Sequence, residues 1–144
     1  FPYTTLFRSG RPEGRNMSGA STVLLVEDEP GVRRLVNETL RLHGYTVLEA
    51  RHGIEALLTG AKHAGPIHLL LTDVVMPQMS GPEVAEKLAT VRPEVKVLYM
   101  SGYPDHPAFS KGGIDTEHSF LQKPFTPTTL AQKVREVLDG SKVG

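Results

Sequence analysis

Thr22–Asp28 reads TVLLVED, a short apolar run rich in β-branched residues that stops at two carboxylates. An apolar run of this length is read as a buried strand. The pattern recurs three times. Ile67–Asp73 (IHLLLTD) ends in an acid, Val95–Ser101 (VKVLYMS) in a hydroxyl, and Ser119–Pro124 (SFLQKP) in an amine followed by proline. Open α/β sheets carry their sites outside the carboxyl ends of their strands. Laid side by side and parallel, these four runs bring acid, acid, hydroxyl and amine together.

The sequence between the runs predicts the helices such a sheet needs. Pro30 suits a first helical turn, and Val32, Leu35, Val36, Thr39, Leu40 and His43 follow helical spacing. Gly44 ends that helix at C′. YTVLEA (45–50) is a further strand. Ile54, Leu57, Leu58 and Ala61 mark a second helix, closed by Gly65-Pro66. After the loop VVMPQMSG (74–81), a third helix turns Val84, Ala85, Leu88 and Val91 inward until Pro93 stops it. Gly102 to His118 holds Pro104, Pro107 and Gly112-Gly113, so at best one short helix fits. Thr126 to Leu138 is a final helix with Leu130, Val134, Val137 and Leu138 inward. Strand followed by helix, repeated, predicts a parallel sheet covered on both faces.

Composition narrows the class. The 144 residues make about one domain. Sixteen basic and 16 acidic residues balance, so neither nucleic acid nor a membrane is expected as a direct partner. There is no cysteine, which excludes disulfides and thiolate chemistry. No apolar run approaches the ~20 residues of a membrane helix, and cytoplasmic location is the expectation. Residues 1–20 lack periodicity and are read as a disordered leader or linker. Within them FPYTTLFRS (1–9) resembles the conceptual translation of a sequencing-adapter oligonucleotide. It is read as non-native, leaving the native frame to begin upstream or at Met17. Residues 21–140 are the expected domain and 141–144 a tail. The histidines at 43, 52, 63 and 68 fall at helix ends or in loops, not at metal spacing.

The chemistry rests on Glu27, Asp28 and Asp73. Three carboxylates at neighbouring strand ends repel, and a divalent cation relieves that. All-oxygen ligands suit Mg²⁺. An Asp carboxylate beside the metal can attack a phosphoryl group, whose oxygens the metal neutralises. Lys123 adds a second positive charge, and Ser101 can donate to a phosphoryl oxygen. Any one of these acids alone would read as a solvated loop residue; the full set at these strand ends does not.

With VEDE after the first run, TDVVMPQMSG after the third strand, MSGY after the fourth and FLQKPF after the fifth, the chain resembles the receiver domains of two-component response regulators. The resemblance spans about Thr22 to Leu138. It implies a flavodoxin-like (βα)5 three-layer sandwich with a parallel five-stranded sheet of order 2-1-3-4-5. By position, Asp73 resembles the phosphoacceptor. Asp28 resembles the direct Mg²⁺ ligand and Glu27 its partner through water, with the Val75 backbone carbonyl a further ligand. Ser101 matches the switch hydroxyl, Phe120 the switch aromatic and Lys123 the family lysine. A cis Lys123-Pro124 bond is expected. The implied partner is a histidine kinase or histidine phosphotransfer domain.

Departures from the family pattern refine this. The acid pair is Glu-Asp rather than Asp-Asp, and Ser stands for the commoner Thr at 101. Phe120 lacks a Tyr hydroxyl. Val75 and Tyr103 occupy positions that often tune dephosphorylation, and an apolar Val75 cannot orient an attacking water. Slow self-dephosphorylation is therefore expected. The SGY and FLQKPF motifs resemble receivers at the C-terminus of hybrid histidine kinases, an origin favoured over a free-standing regulator. An Asp-nucleophile phosphatase of the haloacid dehalogenase type would need a second Asp at position 75. A receiver-like module that is never phosphorylated would have no use for the retained acids, Ser101 and Lys123.

Overall fold

The computed structural model describes residues 21–102 and 120–140. The elements are β1 (Thr22–Val26), α1 (Pro30–Leu42), β2 (Thr46–Ala50), α2 (Gly53–Lys62), β3 (Leu69–Asp73), α3 (Gly81–Ala89), β4 (Lys96–Ser101), β5 (Phe120–Gln122) and α4 (Pro127–Asp139). The leader, Tyr103, the 103–118 part of the irregular segment and the 141–144 tail lie outside the described residues.

The strands form one parallel sheet of order β2-β1-β3-β4-β5, the expected flavodoxin-like topology. Burial follows strand position. Central β1 and β3 are buried at every residue, which is why they read as unbroken apolar runs. Edge strand β2 is less covered, with only Val47 and Ala50 buried, Leu48 half-buried, and Thr46 and Glu49 exposed. Two cores result. Val23, Leu25, Leu69, Leu71, Leu98 and Met100 face Val36 and Leu40 of α1 and Leu130 and Val134 of α4. On the other face Leu24, Val26 and Leu70 meet Ala56 of α2 and Val84 and Leu88 of α3.

Local chemistry fixes the helix ends. The Glu29 side chain caps α1 by accepting from Val32 N at 3.1 Å. Ser80 and Glu83 form a reciprocal capping box on α3, and Thr126 caps α4. Gly44 has φ +92°, as a C′ glycine requires. His52 caps α2, its Nδ1 accepting from Glu55 N at 3.2 Å.

The second helix is where expected but buries its small residues, and one inward residue of the third needs correction. The buried residues of α2 are Gly53, Ala56 and Gly60, whereas Ile54 and Leu58 are half exposed. The reason is close packing. A Cβ on Gly53 would lie 2.8 Å from Val84 Cγ2, and one on Gly60 the same distance from Leu88 Cδ1. The helix presses on α3 through its smallest residues, so the large apolar ones turn outward. Val91 is exposed rather than inward, because α3 stops at Ala89, before Pro93. The chain there instead delivers Arg92, whose guanidinium donates to the carbonyls of Gly60, His63 and Gly65 at 2.8–3.0 Å. That fork closes the C-terminus of α2, which ends at Lys62 rather than at Gly65.

Candidate functional site

The strand order reverses direction around β1. The second strand lies to one side and the third to the other, which opens a crevice above their carboxyl ends. Glu27 and Asp28 follow β1 directly and Asp73 closes β3. The structure brings the three together: one carboxylate oxygen from each lies within 4.8 Å of the others. Glu27 and Asp73 are buried and Asp28 is exposed.

Glu27 is held at four atoms. Its N–H donates to Ala50 O at 3.1 Å, and its carbonyl accepts from Arg33 Nη1 at 2.7 Å. Its Oε2 accepts from Glu29 N at 3.1 Å, and its Oε1 from Lys123 Nζ at 2.9 Å. Asp73 is fixed through its neighbours. Val74 N donates to Met100 O, and Gly81 N returns to Val74 O at 2.8 Å. A side chain at Gly81 would overlap the Asp73 carbonyl oxygen, so only glycine lets the loop come back this closely. In that loop Gln78 takes φ +73°, and Met79 N donates to Pro77 O across it, a tight three-residue turn.

Lys123 directly follows β5, and the bond after it, to Pro124, is cis as expected. Its ammonium lies 2.9 Å from both Glu27 Oε1 and Asp73 Oδ1. Burial favours the neutral amine, but the bonds to Glu27 and Asp73 outweigh it and hold its pKa above the usual value. For Glu27 burial wins. It pushes the carboxyl up to about 7 against the opposing pull of Lys123, with Asp73 adding to the rise.

An open cavity of about 350 Å³ lies over these groups, lined by Asp73, Val75, Ser101, Gly102 and Lys123. Ser101 is buried at the end of β4, and its carbonyl accepts from Lys123 N at 2.9 Å. Phe120 pairs in register with Tyr99 and packs half buried against the core on the α2–α3 side. Val75 is 45% exposed. The sequence-predicted residues therefore converge, apart from Phe120, which is not among the residues lining the cavity.

The donor set fits Mg²⁺. It is all oxygen, and exposed Asp28 leaves a solvent-facing side for the waters this ion retains. Arg33 was not among the residues singled out from sequence. Its signal was available: an arginine in the second turn of the helix that follows an acid pair. Among the described residues no helix is long and apolar enough to cross a membrane.

Residues 23–135 match the Response regulator receiver domain family. The chain is 41% identical over 125 residues to the sensor kinase CckA of Brucella abortus (strain 2308), covering 86% of this chain but 13% of that protein. It is 34% identical over 124 residues to a chemotaxis protein CheY homolog of Campylobacter jejuni subsp. jejuni, covering 81% of this chain and 91% of the homolog. The crystal structure of the receiver domain from the hybrid histidine kinase CckA matches with TM-score 0.69 at 38% identity, over 82% of this chain and 99% of the other.

Proposed function

Since this chain belongs to the family of response regulator receiver domains, we propose that Asp73 accepts a phosphoryl group from a histidine kinase or a histidine phosphotransfer domain. Receiver domains are phosphoacceptors rather than independent enzymes, and the acidic cluster here is of that kind. The observation that carries the assignment is Lys123 Nζ, 2.9 Å from both Asp73 and Glu27, at the mouth of a cavity wide enough for a phosphoryl group.

An Asp73 carboxylate oxygen attacks phosphorus, an acyl phosphate forms, and the bond from phosphorus to the donor histidine nitrogen breaks. Bound Mg²⁺ supplies charge neutralisation for the phosphoryl oxygens. Glu27, Asp28, Asp73 and the Val75 carbonyl would hold it. Lys123 offsets the remaining negative charge, and Ser101 donates to a phosphoryl oxygen. As Ser101 moves toward Asp73, Phe120 turns into the space it leaves, a two-state element biased by a local charge change. An apolar groove lined by Val32, Leu35, Pro124 and Phe125 opens beside Lys123 and gives a donor protein a face to dock on.

Identity to the sensor kinase CckA exceeds that to the CheY homolog, which favours the C-terminal receiver of a cytoplasmic hybrid-kinase module, with residues 21–140 as the receiver unit. A free-standing regulator is the other reading. A phosphatase is disfavoured, because Val75 offers no acid or base two residues after Asp73. The test is transfer from a phosphorylated histidine phosphotransfer domain. Label should pass to this chain only with Mg²⁺ and be lost in base. Transfer unaffected by chelation would contradict the proposal.

A further inference from the structure

We propose that Arg33 is a positioning residue for the metal site, acting through the peptide that joins Glu27 to Asp28; this rests on the Mg²⁺ reading of that site. Asp28 is exposed, and the peptide plane before it fixes where its N and Cα sit, and so where its side chain starts. The oxygen of that peptide is the Glu27 carbonyl, and Arg33 Nη1 donates to it at 2.7 Å.

Arg33 is itself held. Its side chain is 18% exposed, and Nε lies 3.5 Å from Glu49 Oε1. Asn37 Nδ2 donates to the other Glu49 oxygen at 3.0 Å. Arg41 Nε donates to Asn37 Oδ1 at 2.7 Å, and Arg41 Nη2 to Val47 O at 3.0 Å. A planar guanidinium can serve the Glu27 carbonyl and the Glu49 carboxylate at once. The polar row along α1 therefore runs from edge strand β2 to the acid pair, and only its Arg33 end touches the metal-binding loop. Groups one step behind a ligand commonly set its orientation and the affinity of the site.

The experiment is Mg²⁺ titration calorimetry at pH 8 on the full chain, with Tm measured in EDTA. It compares wild type, Arg33→Met, Arg33→Lys and Asn37→Ala. Arg33→Met should weaken Mg²⁺ binding about tenfold. Arg33→Lys can still reach the Glu27 carbonyl but cannot also serve Glu49, and should recover affinity to within about twofold of wild type. Asn37→Ala loosens the same helix–strand tie without touching Glu27. It should lower Tm and leave Mg²⁺ affinity within about twofold of wild type. The inference is overturned if wild type binds Mg²⁺ and Arg33→Met binds equally well. It is also overturned if Asn37→Ala loses as much affinity as Arg33→Met, since the role would then be merely structural. Should Arg33→Met not fold, an Arg33→Lys variant that folds yet loses the full tenfold overturns it. Failure of wild type itself to bind Mg²⁺ would instead bring down the reading of the site on which the inference rests.

Discussion

Lys123 Nζ stands 2.9 Å from Asp73 Oδ1, and it gets there from β5, two strands away from β3. The same ammonium touches Glu27 at the end of β1. One cation thus holds two buried acids that would otherwise repel, before any metal enters.

Replacing Lys123 by Met leaves Glu27, which is fully buried, without that partner. We expect a loss of about 3 kcal/mol at pH 8, the usual penalty for stranding one member of a buried pair. At pH 5 the loss should be smaller, because Glu27 then carries a proton. Urea denaturation at the two pH values checks this.

Mg²⁺ affinity should depend on pH through Glu27, whose carboxyl is pushed up to about 7. Below that value the acid is protonated, and binding that enlists its charge must expel the proton. Affinity should rise with pH, by up to about tenfold per unit below 7, and flatten above it. Without metal the sign reverses. The folded-state value is raised, so stability is greatest below the unfolded carboxyl range and is lost as pH rises through about 7. Calorimetry in two buffers of different ionisation enthalpy reads the proton release directly.

Gly81→Ala should cost about 3 kcal/mol. The new methyl meets the Asp73 backbone, which cannot swing aside as a side-chain tip would. Tm reports the loss, and phosphorylation should fall with it because Asp73 is displaced.

Arg92→Met removes all three donors from the C-terminus of α2. A cost of about 2–3 kcal/mol follows for carbonyls that lose a charged partner but regain water. Hydrogen exchange should show the gain in opening confined to α2 and the turn after it.

Val75 lines the cavity with an apolar, half-exposed side chain. Val75→Glu supplies a base that can orient water, and should shorten the phosphoryl lifetime at Asp73 by about tenfold or more. A wild-type half-life of seconds would contradict the slow turnover expected from Val75.

Strand ends were legible because parallel strands are buried on both faces, so each polar residue that ends a run marks where the chain leaves the sheet. That exposed Glu27, Asp73, Ser101 and Lys123. Helix faces were less legible where size mattered more than apolarity. Gly53 and Gly60 carry no hydrophobic signal, yet they set the α2–α3 approach. The targets of Arg33 and Arg92 were not legible either. Backbone carbonyls are chemically alike along the chain, and only the tertiary fold decides which one a guanidinium meets.

The most direct test is acetyl phosphate treatment with Mg²⁺, followed by borohydride trapping and peptide mapping. One added phosphoryl group per chain is expected before reduction, and none in Asp73→Asn. Borohydride should then reduce the acyl phosphate at residue 73 alone to an alcohol, with phosphate expelled. A phosphoryl group that survives Asp73→Asn, or reduction mapped to another residue, would contradict the central claim.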